Sequence, residues 1–190
     1  MQWLIETLLW LPAILIALTF HEYAHGLVAD RLGDDTPSLQ GRLTLNPLPH
    51  IDWVGFIMLM IFKFGWAKPV VVDPRNFRDV SVKQGMMLVS LAGPGMNILL
   101  ALLSMIALKL LIPYQSVAGV GLLIALLTPL IYINLILAAF NLIPVPPLDG
   151  SKILAGLLPD VGSRLIYSAE QYGPLILLLL IVTGTVGKIL

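Results

Sequence analysis

The chain has 190 residues, 58% of them apolar and 12% charged, with a formal net charge of zero and no cysteine. Soluble domains average about 25% charged residues, and the mean hydropathy of +0.93 points to a membrane protein. Balanced charge offers no basic surface for nucleic acid. The lack of cysteine excludes disulfides and thiolate sites, leaving imidazole, carboxylate and carbonyl as ligands for any metal.

Residues 3–20 hold one acidic group, Glu6, and no basic one; the first Lys or Arg is Arg31. That is not the positive n-region of a cleaved signal peptide, so this stretch is expected to be a retained membrane helix. At its end stands His21-Glu22-Tyr23-Ala24-His25. On a helix His21 and His25 lie one turn apart on one face, so both imidazoles reach one ion. Glu22 beside them is placed to take a proton from a metal-activated water. A five-residue motif arises by chance in many proteins. Ionisable groups at membrane depth, however, cost at least about 2.5–3.5 kcal/mol each at a helix centre and usually mark function. The competing reading is that His21 and Glu22 only cap the inner end of the span.

Asp30, Asp34 and Asp35 are expected to form the solvated turn after this helix, although an acidic ligand downstream of the histidines is also conceivable. Residues 39–45 alternate apolar and polar over part of their length, and Val70-Val71-Val72 is β-branched. Together they predict a small membrane-associated β-sheet. Such a sheet either braces the loop or captures an extended substrate by strand addition. His50 reads as a loop histidine at the interface, with metal ligation as the alternative. Trp53–Phe62 is apolar for about ten residues, short of the roughly 20 that span a bilayer, and suits a re-entrant or interfacial segment.

Residues 86–112 and 117–143 are long enough to span. Residues 165–187 predict a fourth span, interrupted early by Glu170 and Gly173-Pro174. Within 86–112, Gly93-Pro94-Gly95 reads either as a gating kink or as a small-residue contact between helices. Asn97 is expected to hydrogen-bond across to a neighbouring helix. The expected architecture is an all-α polytopic membrane protein of about four transmembrane helices, with the short segment and the sheet added. It forms a single domain over 1–190, with its core in 3–155 and a C-terminal helix at about 165–190.

Charge orders these elements. If 53–66 dips in and returns, then Arg31, Arg42, Lys63, Lys68, Arg75, Arg78, Lys83, Lys152 and Arg164 share one side, against Lys109 and Lys188. The positive-inside rule makes the richer side cytoplasmic. The first and third long helices then run inward. Asp149, just after the third, reaches the depth of the histidines and is the expected third ligand. Three protein ligands and an open position are the arrangement of a catalytic zinc, although cobalt or iron satisfies the same donors.

These residues resemble the site-2 protease family of intramembrane zinc metalloproteases. His21-Glu22-x-x-His25 is similar to its first metal motif, and Asn141-x-x-Pro144-x-x-Pro147-Leu148-Asp149-Gly150 to its second. Gly41-Arg42-Leu43-Thr44-Leu45-Asn46-Pro47, Gly65-Trp66-Ala67-Lys68-Pro69 and Ala92-Gly93-Pro94-Gly95-Met96-Asn97 resemble segments of small bacterial and archaeal members. Trp53 stands where close relatives carry proline, and the segment after it looks shortened. The resemblance implies Zn2+ as cofactor and hydrolysis of peptide bonds in or beside transmembrane segments of membrane protein substrates, in regulated intramembrane proteolysis at the prokaryotic cell membrane. It also implies that Asn141 helps hold the substrate carbonyl or developing oxyanion. No PDZ or CBS module is expected within these residues. The rival reading is a non-proteolytic metal-binding membrane protein, a carrier or an inactive scaffold. A carrier should show internal repeats, and an inactive scaffold has no need of Glu22.

Overall fold

The computed structural model describes residues 2–62 and 65–184. Among the described residues eight α-helices follow one another: α1 (Gln2–Arg31), α2 (Thr36–Leu39), α3 (Trp53–Phe62), α4 (Val82–Leu111), α5 (Val120–Asn141), α6 (Asp149–Leu157), α7 (Asp160–Ala169) and α8 (Gly173–Val182). Three contain stretches long and apolar enough to cross a membrane: Leu9–Arg31, Val82–Tyr114 and Val120–Asn141. They pack together as a three-helix core. Much of the leucine and isoleucine on α4 and α5 is exposed, among them Leu102, Leu103, Leu110 and Leu122. A helix apolar all round is suited to a lipid surround.

The interior is lined by small residues. Ala17, Ala29 and Ala101 have no exposed surface, which lets the helix backbones approach, as membrane helices require. α4 starts with a capping box, the Ser81 side chain accepting from the Gln84 amide and the Gln84 side chain accepting from the Ser81 amide.

The segment after α2 returns on itself. Ile51 and Ala67 form an isolated antiparallel bridge, and the Lys68 amide donates to the His50 carbonyl at 2.9 Å. Within this loop a Cβ on Gly55 would lie 2.3 Å from the Trp66 carbonyl, and one on Gly65 would lie 2.2 Å from the Gly55 carbonyl. The two arms touch at positions where no side chain fits. The two ends of the segment therefore meet, and α3, ten residues long, is not among the helices long enough to cross a membrane.

Two expectations are corrected. Among the described residues there is no β-strand. Residues 39–45 do not keep two faces: Leu39 (80%) and Leu45 (51%) are exposed together with Gln40, while Leu43 is half-buried and Arg42 buried. Gly41, at φ 66°, breaks the extended path. Val70 cannot join a ladder through its amide, because that group donates to Glu22. The expected fourth span is divided into α7, a 3-10 turn at Glu170–Tyr172 and α8, and neither helix is long enough to span among the described residues. Residues 185–190 of the expected C-terminal helix lie outside the described ones.

Asp34 is also not solvated. It has no exposed surface and accepts from the Thr36 amide and hydroxyl, the Asp73 amide and the Asn76 side chain. It thereby ties the end of α1 to the 73–76 turn. Burial pushes its carboxyl up, but these hydrogen bonds together hold it below the usual aspartate value.

Candidate metal centre

α1 is helical through His21 and His25, so the two rings project from one face toward α4 and α6. Asp149 is the first residue of α6, delivered by the turn that follows α5. That turn is tight: a Cβ on Gly150 would lie 2.4 Å from the carbonyls of Leu142 and Ile143. Only glycine lets the chain fold back sharply enough to bring Asp149 to the histidines.

The three side chains meet at one point. His21 Nε2 and His25 Nε2 are 3.0 Å apart, and each is 3.3 Å from Asp149 Oδ2. A tetrahedral zinc with ligand bonds of about 2.0–2.1 Å separates its donors by about 3.3–3.4 Å. The donor set and its spacing therefore fit zinc. His21 is 5% exposed, and the His25 and Asp149 side chains are 12% and 13% exposed.

Hydrogen bonds on the far sides of the rings strengthen the case. His25 Nδ1 donates to the Val89 carbonyl at 2.7 Å. His21 Nδ1 donates to Asn97 Oδ1, also at 2.7 Å, while Asn97 Nδ2 donates to the Ala17 carbonyl and to Asn134 Oδ1. Both Nδ1 protons point away from the centre, so both Nε2 lone pairs point into it. They face Asp149 Oδ2, a buried carboxylate oxygen with no hydrogen-bond donor. Three acceptors converging in an apolar surround are mutually unfavourable without a cation between them.

α4 approaches these rings at Gly93, where a Cβ would lie 2.4 Å from His25 Nε2 and 2.6 Å from His21 Cε1. Of the two sequence readings of Gly93, close helix contact is the one observed. Asn97 bridges helices as expected. Asn134, the Val89 carbonyl and the steric role of Gly93 toward the rings went unnoticed in the sequence.

Glu22 is 8% exposed, and its Oε2 accepts the Val70 amide at 2.9 Å. Together with His21, His25, Asp149 and Asn141 it lines a cleft of about 650 Å³, whose other walls include Val70–Val72, Met86 and Lys152. Asn141 sits in this cleft with its amide donating to the Leu137 carbonyl of its own helix at 3.0 Å. His50 stands apart. It is 2% exposed rather than interfacial, with Nε2 donating to the Thr44 carbonyl and Nδ1 3.4 Å from Arg42 Nη2. Of the three acidic residues of the turn, none joins the histidines; among the described residues the group that could hold a metal is His21, His25 and Asp149.

Comparison with known proteins agrees with this geometry. The sequence profile of Peptidase family M50 matches residues 110–183, which include Asn141 and Asp149. A Bacillus subtilis protein named as a zinc metalloprotease, YwhC, is 41% identical over 177 residues, covering 90% of this chain and 78% of its own length. Rip2 of Mycobacterium tuberculosis, also named as a zinc metalloprotease, is 32% identical over 179 residues, or 91% of this chain and 66% of Rip2. MJ0611 of Methanocaldococcus jannaschii, named likewise, is 30% identical over 135 residues, or 71% of this chain and 63% of that protein. The chain thus spans just under two thirds of the latter two relatives. No solved structure matches it. With a likeness to YwhC that runs through both metal motifs and nine tenths of the sequence, this chain belongs to peptidase family M50, the site-2 protease family of zinc metalloproteases.

Proposed function

We propose that this protein is an intramembrane zinc endopeptidase that hydrolyses peptide bonds in or near transmembrane segments of other membrane proteins, in regulated intramembrane proteolysis. His21, His25 and Asp149 hold the metal. The observation that carries this reading is the 3.0–3.3 Å triangle of two Nε2 lone pairs and one carboxylate oxygen, with both Nδ1 protons turned outward. Bound there, zinc supplies a Lewis acid that polarises a carbonyl and acidifies water.

The chain's own groups do the rest. Glu22 takes the proton of the attacking water on its carboxylate and delivers it to the leaving amine. The Val70 amide bonded to Oε2 holds that carboxylate in place. Asn141 turns its amide from the Leu137 carbonyl to the substrate carbonyl, where it offsets charge developing on oxygen. Val70–Val72 form one wall of the cleft against which the substrate segment lies. The walls of α1, α4 and α5 exclude bulk water and lipid. The basic residues between α1 and α4 and after α5 support a site facing the cytoplasm, by the positive-inside rule.

The test is cleavage of a single-span substrate in liposomes, with metal content measured on the same preparations. Wild type is expected to carry about one zinc per chain and to cleave. Glu22→Gln keeps the zinc and loses about 10²–10⁴-fold in rate, and Asp149→Ala loses both. Unchanged cleavage by Glu22→Gln would sink the mechanism, and zinc binding without cleavage of any span would favour a carrier or scaffold.

A further inference from the structure

Asn134 lies at the middle of the fold, on α5, with no exposed surface, and takes no part in the chemistry above. An amide at that depth persists only if its hydrogen bonds are satisfied, and the bonds it makes have a direction. Its Nδ2 donates to the Leu130 carbonyl one turn earlier, at 2.8 Å. A carbonyl only accepts, so this bond fixes which end of the amide is which. Oδ1 of Asn134 is thereby turned toward α4, where it accepts from Asn97 Nδ2 at 2.7 Å. Asn97 Nδ2 also donates to the Ala17 carbonyl at 3.1 Å. With both its N–H groups committed to that side, Asn97 presents only its oxygen to His21 Nδ1, 2.7 Å away.

We propose that Asn134 is a positioning residue that acts through Asn97 to hold His21 as the tautomer protonated on Nδ1, with the Nε2 lone pair directed into the metal centre. The inference rests on the metal-centre reading of His21, His25 and Asp149. His25 needs no such relay, because a main-chain carbonyl, that of Val89, fixes its tautomer directly. His21 is instead oriented by a side-chain amide that could flip. A flipped Asn97 would offer N–H to Nδ1 and move the proton to Nε2, where it blocks ligation. Asn134 removes that alternative: flipping Asn97 would set its oxygen against both Asn134 Oδ1 and the Ala17 carbonyl.

The experiment uses the full chain in detergent micelles and measures zinc affinity by chelator competition, the visible spectrum of the cobalt(II) form, and the melting temperature. Asn134→Leu removes the acceptor. Asn134→Ser is too short to reach Asn97 but leaves a small polar group, and it carries the same prediction should the leucine variant fail to fold. Both are expected to weaken zinc binding about 10–100-fold and to alter the cobalt spectrum. Asn134→Asp is the rescue: burial keeps its carboxyl protonated, so its O–H donates to Leu130 while the other oxygen accepts from Asn97. Its affinity and spectrum are expected to be close to wild type. A purely structural Asn134 would lower the melting temperature and leave zinc affinity and cobalt spectrum untouched, which overturns the proposal. An aspartate variant as weak as the serine variant also overturns it. The wild-type arm separates the two levels: no zinc in wild type overturns the metal-centre reading and this proposal with it, whereas zinc in wild type with undiminished affinity in the leucine and serine variants overturns this proposal alone.

Discussion

Gly93→Ala adds one methyl group at the closest approach of α4 to the metal centre. The new Cβ would lie 2.4 Å from His25 Nε2 and 2.6 Å from the Cε1 atoms of His21 and His25. Comfortable heavy-atom contact begins near about 3.5 Å, so either α4 withdraws or the rings turn, by about 1 Å. Metal sites hold their distances to about 0.2 Å. The displacement is several times that tolerance and falls on the two imidazoles. Withdrawal of α4 also loosens both outward hydrogen bonds, since Val89 and Asn97 lie on the same helix. Overpacking of this kind costs about 1–3 kcal/mol in folding, and a 1 Å misplacement of reacting groups costs about 100-fold in rate. The assay is zinc affinity and cleavage rate of Gly93→Ala beside Gly95→Ala, whose Cβ would meet nothing within 4 Å. The expected result is loss of both for position 93 and near wild-type behaviour for position 95. A Gly93→Ala protein with wild-type zinc affinity would refute the reasoning.

Other perturbations follow from the same contacts. Asn141→Leu should leave zinc content unchanged and slow cleavage by about 10²–10³-fold, and an effect on KM alone would remove Asn141 from the reaction. Gly65→Ala places a methyl 2.2 Å from the Gly55 carbonyl; proteolysis of the 51–67 loop should accelerate while zinc content holds. Asp34 gives a pH dependence. Its folded value lies below the ordinary 3.8, so its contribution is complete above the unfolded value and is lost as pH falls through the folded one. Melting temperature should therefore drop on acidification through that window in wild type, and Asp34→Asn should flatten the drop while lowering stability at neutral pH by about 1–3 kcal/mol.

The metal motifs were legible because their information is local. The i, i+4 spacing of His21 and His25 needs only a helix, and α1 supplies one. Asp149 was expected beside them from an argument of two spans and a short returning segment, and it lies 3.3 Å from both rings. The β-sheet expectation failed for a physical reason: alternation suggests two faces but does not make the folded chain keep them. Here Arg42 turns inward, and the Val70 amide is drawn off by Glu22 rather than by a strand. Asp34 and His50 were read as exposed because polar residues in loops usually are. Asp34 instead collects two of its four bonds from the 73–76 turn, 39 and 42 positions away, which only folding brings to it.

By itself the sequence determined the membrane class, the three long apolar helices and the residue types that gather at His21, His25 and Asp149, since hydropathy, length and helical spacing act over one to twenty residues. Tertiary structure alone decided which face of each helix carries the site and what orients the ligands. His21 meets Asn97 across 76 positions, His25 meets Val89 across 64, and Asn97 meets Asn134 across 37. These partners are single polar groups in apolar helices, and no period or motif links them. Burial away from water and lipid polarity selects the one packing in which every such group is paired.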